Sequence, residues 1–126
     1  MIDPLATDAV AEITAFTAGE GAAAVLDFVG SDSTLEIATG AVGRQGIVVL
    51  VGLAGGAVPF SFFSMATEAQ LTTSDWGNCN ELAEVIALAE QGRLQGRIER
   101  HALGAINTVF ERLERGQIDG RAVLVP

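Results

Sequence analysis

Few residues in this chain have the types and spacing that chemistry demands. The one histidine, His101, lies in a polar stretch with no metal or acid–base partner at ligand spacing, and reads as a solvated side chain. Cys79 is the only cysteine, so neither an internal disulfide nor a Cys-based zinc site can form within the chain. Placed near a helix start, it reads as a structural thiol rather than a nucleophile. Asp27 has no paired carboxylate to suggest acid–base work. Gly52, Gly55 and Gly56 fail as a dinucleotide fingerprint, because the spacing is wrong and Val58-Pro59-Phe60 follows where a helix should open. What is left is two features: Gly30 and Gly52 each close an apolar run, at the strand ends where open α/β sheets bind ligands.

The bulk composition narrows the partners. With 126 residues, 49% hydrophobic and 18% charged, the chain can build a core and does not read as disordered. Its net charge is -9, and every basic residue is Arg. An acidic surface repels phosphate backbones, which disfavours nucleic acid. A small anionic cofactor is still admissible, because helix N-termini and single Arg residues act locally. Met1-Ile2-Asp3-Pro4 lacks the basic start of a secretion signal. The most apolar stretch, 47–60, is interrupted by Gly and shorter than the ~20 residues of a membrane span. A soluble, cytoplasmic protein with no membrane partner is the expectation.

The elements that must position these residues alternate. Asp3-Pro4 opens a helical segment with Leu5, Val10, Ile13 and Phe16 on one face, ending near Gly19. Ala22 to Val29 is a compact apolar run suited to a buried strand. Ser31 or Asp32 caps a helix over 33–42, which Gly43 stops. The run 46–52 is apolar between its two glycines, as expected for a parallel strand covered on both faces. The three elements together predict a βαβ unit. A connection over 54–69 carries Phe60, Phe62, Phe63 and Met65, and 70–76 reads as a third strand. After Gly77, Asn78 and Glu81 predict a capping box ahead of a helix carrying Leu82, Val85, Ile86 and Ala89. A polar strand over 97–103, a helix with Ile106, Val109, Phe110 and Leu113, and a closing strand over 121–125 complete an α/β pattern.

From Gly19 onward the words fall in a known order. Gly19-Glu20-Gly21, Asp27-Phe28-Val29-Gly30, Val49-Leu50-Val51-Gly52-Leu53, Ser74-Asp75-Trp76-Gly77 and the ending from Gly116 to Pro126 resemble bacterial medium-chain, zinc-dependent alcohol dehydrogenases. The similarity covers nearly the whole chain and runs to the C-terminus of such enzymes. It implies the second half of a Rossmann-like parallel sheet, strands four to six, followed by the C-terminal helices and strands of the catalytic domain. The boundary implied is 1–77 for the partial coenzyme domain and 78–126 for the catalytic segment. The zinc ligands, the Gly-rich phosphate turn and the acidic ribose contact of the family all lie upstream of the resembling region. Strand four would then lack strand one beside it, leaving an apolar edge.

The resemblance also implies site residues, all for NAD. Phe28, Val29 and Gly30 would lie beside a ribose, and Val51, Gly52 and Leu53 would border the nicotinamide. Ser74, Asp75 and Trp76 match the segment whose backbone holds the carboxamide, although Asp75 departs from the usual aromatic or small residue. Arg121 matches a late arginine that pairs with the pyrophosphate. The aromatic connection implies contact between copies in a homo-oligomer. Two functions follow: part of an enzyme passing a hydride between a small alcohol or aldehyde and NAD, or a non-catalytic remnant serving as a binding or self-association module. Neither the alcohol nor the choice between NAD and NADP is written in these residues.

Overall fold

The computed structural model describes residues 1–126, which form two compact units, Met1–Trp76 and Gly77–Pro126. In the first unit, helix α1 spans Ala9–Phe16 and begins where the Asp8 carboxylate accepts the N–H of Ala11. It therefore starts later than Pro4 suggests, because Asp3 spends its acceptors on a separate turn through Leu5 and Thr7. Strand β1 is Ala22–Asp27 and helix α2 is Asp32–Ala41. Ser31 caps α2, and Thr34 closes the box by accepting the Ser31 N–H.

Strand β2 spans Val42–Leu50 and follows α2 without a loop. The sequence makes Gly43 a helix stop; the structure puts it inside the strand. Its glycine is needed for another reason: a side chain there would strike the Glu20 carbonyl and the Gly21 backbone. The register between β1 and β2 slips after Ala22, which faces Val42, while Ala24 faces Ile47. Gln45, at φ 57, takes up the extra length. Strand β3 is Gln70–Thr73, shorter than predicted because the chain leaves the sheet after Ser74 donates to the Leu50 carbonyl at 2.9 Å. The sheet order is β1-β2-β3 and both pairings are parallel. The core is Ala38 and Val42 packed with Val48, which is fully buried, with Val25, Met65 and Ala69 around them. The other edge of β1 has no strand partner. Beside it Pro4, Ile13, Leu26, Phe28 and Ile37 line an apolar hollow of about 330 Å³.

In the second unit, helix α3 spans Cys79–Glu90 and opens with the predicted box. The Asn78 side chain accepts from Asn80 and Glu81, and Glu81 accepts the Asn78 N–H. None of its residues is buried, and its apolar face of Leu82, Val85 and Ile86 lies open. Strand β4, Ile98–Ala102, pairs in parallel with β5, Arg121–Val125, across helix α4, Ile106–Glu114. This is a second, smaller βαβ unit, with Val109 as its one buried apolar side chain. No helix in the chain is long and apolar enough to cross a membrane.

Truncating the buried Val48 removes two methyl groups from the small first core. Val48→Ala is expected to lower unfolding stability by about 2 kcal/mol, read as a shifted urea midpoint at unchanged slope.

Candidate functional site

The carboxyl ends of β1 and β2 are fastened to each other by main-chain hydrogen bonds. The Asp27 carbonyl accepts both the Val51 N–H at 2.8 Å and the Gly52 N–H at 3.0 Å. Further out, Ala54 donates to the Val29 carbonyl and Gly56 to the Gly30 carbonyl, and the Asp32 carboxylate accepts the Ala57 N–H at 2.7 Å. Glycines make this approach geometrically admissible. A side chain on Gly52 would run into the Val29 backbone, one on Gly30 into Gly52, and one on Gly56 into the Ser31–Asp32 peptide. Gly30 also adopts φ 72, a conformation that L side chains resist. The two predicted site glycines are thus explained first by each other.

Of the predicted site residues, the structure gathers five. Val51, Leu53, Ser74, Asp75 and Trp76 line a hollow of about 210 Å³ at the carboxyl ends of β2 and β3. The Val51 and Ser74 carbonyls and the Leu53 and Asp75 N–H groups find no partner within the chain. These groups belong to residues that line one mainly apolar recess. Trp76 stays 85% exposed, so it is not a packing anchor, and its N–H is taken by the Asp75 carboxylate at 2.8 Å. Phe28 and Val29 instead line the hollow beside the open edge of β1, and Gly30 is buried against Gly52. Arg121 belongs to the second unit. Its N–H donates to the Arg97 carbonyl, and its exposed guanidinium makes no ion pair.

Two charged groups do more than the sequence suggests: Asp27, weighed above only for acid–base work, and Glu99. Asp27 is buried, with 6% of its surface exposed, and its carboxylate accepts the N–H groups of Val29 and Gly30 and the Thr34 hydroxyl, each at 2.9 Å. Burial pushes this carboxyl up, but the hydrogen bonds from Gly30, Val29 and Thr34 together outweigh it and hold the group below the ordinary carboxylate range. Glu99 corrects the picture of His101 as an unaccompanied, solvated ring. The imidazole Nε2 is buried without a hydrogen bond and lies 3.4 Å from the Glu99 carboxylate, two residues back on the same strand face. Glu99 in turn accepts from Arg112 at 2.9 Å and from the Asp119 N–H at 3.2 Å. The Asp119 N–H, then Arg112, hold its carboxyl below the ordinary range. This cluster ties β4 to α4 and to the turn before β5, a structural task. No group of three or more His, Cys, Asp or Glu side chains is arranged to hold a metal ion, so a catalytic or structural zinc does not fit this chain's residues.

Gly52→Ala is expected to lower stability by ~1–3 kcal/mol, whereas Gly104→Ala, which faces open space, should stay within ~0.5 kcal/mol. Paired chemical-denaturation curves decide between them. The folded Asp27 carboxyl titrates below its unfolded value, so its stabilisation is present above the ordinary carboxylate range and disappears as pH falls through the lowered folded value. Asp27→Asn is expected to flatten that acid limb in unfolding midpoints measured across the acid range.

Comparison with known proteins agrees with this geometry. Residues 1–91 match the zinc-binding dehydrogenase family model. The chain is 33% identical over 120 residues to D-arabinose 1-dehydrogenase (NADP(+)) of Saccharolobus solfataricus, covering 94% of this chain and 34% of that protein. It is 33% identical to an NAD-dependent alcohol dehydrogenase of Sulfurisphaera tokodaii, covering 100% of this chain and 37% of that protein. The crystal structure of the alcohol dehydrogenase from Aeropyrum pernix superposes with a TM-score of 0.88 at 38% identity, over 99% of this chain and 36% of the other. The chain thus spans about a third of the length of these relatives. A parallel β1-β2-β3 sheet carrying a recess at its carboxyl ends, together with the family match, places the chain in the zinc-binding dehydrogenase family.

Proposed function

We propose that this chain forms the nicotinamide-facing side of the coenzyme cleft in an oxidoreductase that passes a hydride between an alcohol and NAD. The observation that carries the reading is the recess of Val51, Leu53, Ser74, Asp75 and Trp76, with its unpartnered main-chain donors and acceptors. Bound there, nicotinamide would supply the hydride acceptor. The chain's own residues orient it. The Val51 and Ser74 carbonyls accept from the carboxamide nitrogen, a main-chain N–H donates to its oxygen, and Leu53 covers the ring. Phe28, Val29 and Gly30 flank a ribose; in the second unit, the Arg121 guanidinium is free of intramolecular ion pairs and suits a phosphate group. Residues 1–77 then belong to the coenzyme domain and 78–126 to the catalytic domain. Zinc, where the whole protein uses it, is held by residues outside this chain.

Self-association and a cytoplasmic setting belong to the same reading. Strand β3 has one free edge, and the connection before it exposes Phe60, Phe62 and Phe63. The last two rings stand edge to face, 5.1 Å apart, and together these aromatics offer an apolar surface to a second copy. NAD is chosen over NADP on the Sulfurisphaera relative, although the D-arabinose enzyme is named for NADP(+). The remnant alternative draws on no observation of its own.

A polypeptide of these 126 residues is expected to show no alcohol-dependent reduction of NAD, and to bind NADH no more tightly than ~1 mM, since it carries no glycine-rich phosphate turn. Turnover by the purified chain would overturn the division of labour proposed here. In native extract, an antibody to the chain is expected to find it within a polypeptide about three times as long. A zinc chelator should abolish that species' alcohol oxidation; an inert species of that length would sink the oxidoreductase reading.

A further inference from the structure

Asp27 is the one residue bonded to both turns that face the proposed cofactor. Its side chain holds the N–H groups of Val29 and Gly30, while its carbonyl holds those of Val51 and Gly52. It is also the last residue of β1, paired with Leu50, the last residue of β2. These two sets of bonds are mechanically linked. The carboxylate bends the chain back over its own backbone, and that bend fixes the rotation of the Asp27–Phe28 peptide. The carbonyl of that same peptide points at β2 and accepts two N–H groups at once. Thr34, through its hydroxyl at 2.9 Å, locks the second carboxylate oxygen and ties the arrangement to the first turn of α2.

We propose that Asp27 is a positioning residue that sets the Phe28–Gly30 turn and the Val51–Leu53 segment against each other, and so aims the main-chain groups that receive the nicotinamide carboxamide. It touches no cofactor atom; it acts through the peptides it fixes. The proposal rests on the nicotinamide reading of the recess for its functional half, and on the hydrogen bonds alone for its mechanical half. A merely local role would confine the effect of losing the carboxylate to Val29, Gly30 and Thr34. A positioning role reaches Val51 and Gly52, which the side chain never contacts.

Amide hydrogen exchange on the isotope-labelled chain separates these cases. In Asp27→Ala, exchange at Val51 and Gly52 is expected to speed up by roughly tenfold or more, the scale set by losing a charge-assisted hydrogen bond. Asp27→Asn keeps an oxygen for Val29 and Gly30, and should restore both amides to within about threefold of the parent. Acceleration confined to Val29 and Gly30 overturns the proposal. Should Asp27→Ala fail to fold, Asp27→Ser, whose shorter hydroxyl holds such a turn only weakly, carries the same test: faster exchange at Val51 and Gly52 supports it, and none there overturns it. A second arm adds NADH at several millimolar. The Leu53, Asp75 and Trp76 resonances are expected to move in the parent chain and in Asp27→Asn, but not in Asp27→Ala. Equal movement in all three overturns the positioning role and leaves the cofactor reading standing. No movement in the parent sinks the cofactor reading and this functional half with it, whatever the exchange arm reports.

Discussion

The unit that bears the candidate site depends on a seam rather than on a large core. The Asp27 carbonyl, the Val29 and Gly30 carbonyls and the Asp32 carboxylate receive successive N–H groups from the segment leaving β2. Sheet pairing has ended by Leu50, yet the two chains stay zipped as far as Ala57. Such close approach tolerates no side chain on Gly30, Gly52 or Gly56, so these three positions are fixed by packing of backbone on backbone. The apolar core behind the seam is small, with Ala38, Val42 and Val48 at its centre. Order at the strand ends therefore comes from directional bonds, which hold main-chain groups at definite angles.

Much of the fold could be read from the residues, for identifiable reasons. Apolar runs bounded by glycine located β1, β2 and β5, and Asn78 with Glu81 announced the start of α3 because both halves of the box are side chains visible in sequence. The errors came where one segment needs another. Gly43 looks like a helix stop, but its role depends on Glu20, which arrives only through folding. Helix α1 starts later than Asp3-Pro4 suggests because the turn at Asp3 closes on itself, and the helix begins only where the Asp8 side chain meets the Ala11 N–H. The box at Ser31 uses Thr34 in place of the usual Glu or Gln, so the pattern did not announce it.

The recess at the strand ends was legible only through the family resemblance, which singled out 51–53 and 74–76; the parallel pairing of β2 and β3 then brings Val51, Leu53, Ser74, Asp75 and Trp76 to one side. Asp27 could not be found that way: a carboxylate next to an apolar run looks like a strand terminus, and its importance lies in the direction of two N–H groups beyond it. Glu99 and His101 were within reach, since residues two apart on a strand share a face. Treating His101 by its immediate neighbours alone hid that relation.

Helix α3 behaves unlike the seam. Its ends are well satisfied by Asn78, Glu81 and the positive-φ Gly92, yet none of its side chains is buried within the chain. A twelve-residue helix with so little packing behind it is marginal in water. Its backbone will open far more often than that of β2, and an added protease will find its first cleavable bonds there. Digestion that begins between Asn78 and Gln91 would leave an N-terminal fragment containing Met1–Trp76 as the longest-lived product, with its zipped strand ends still closed.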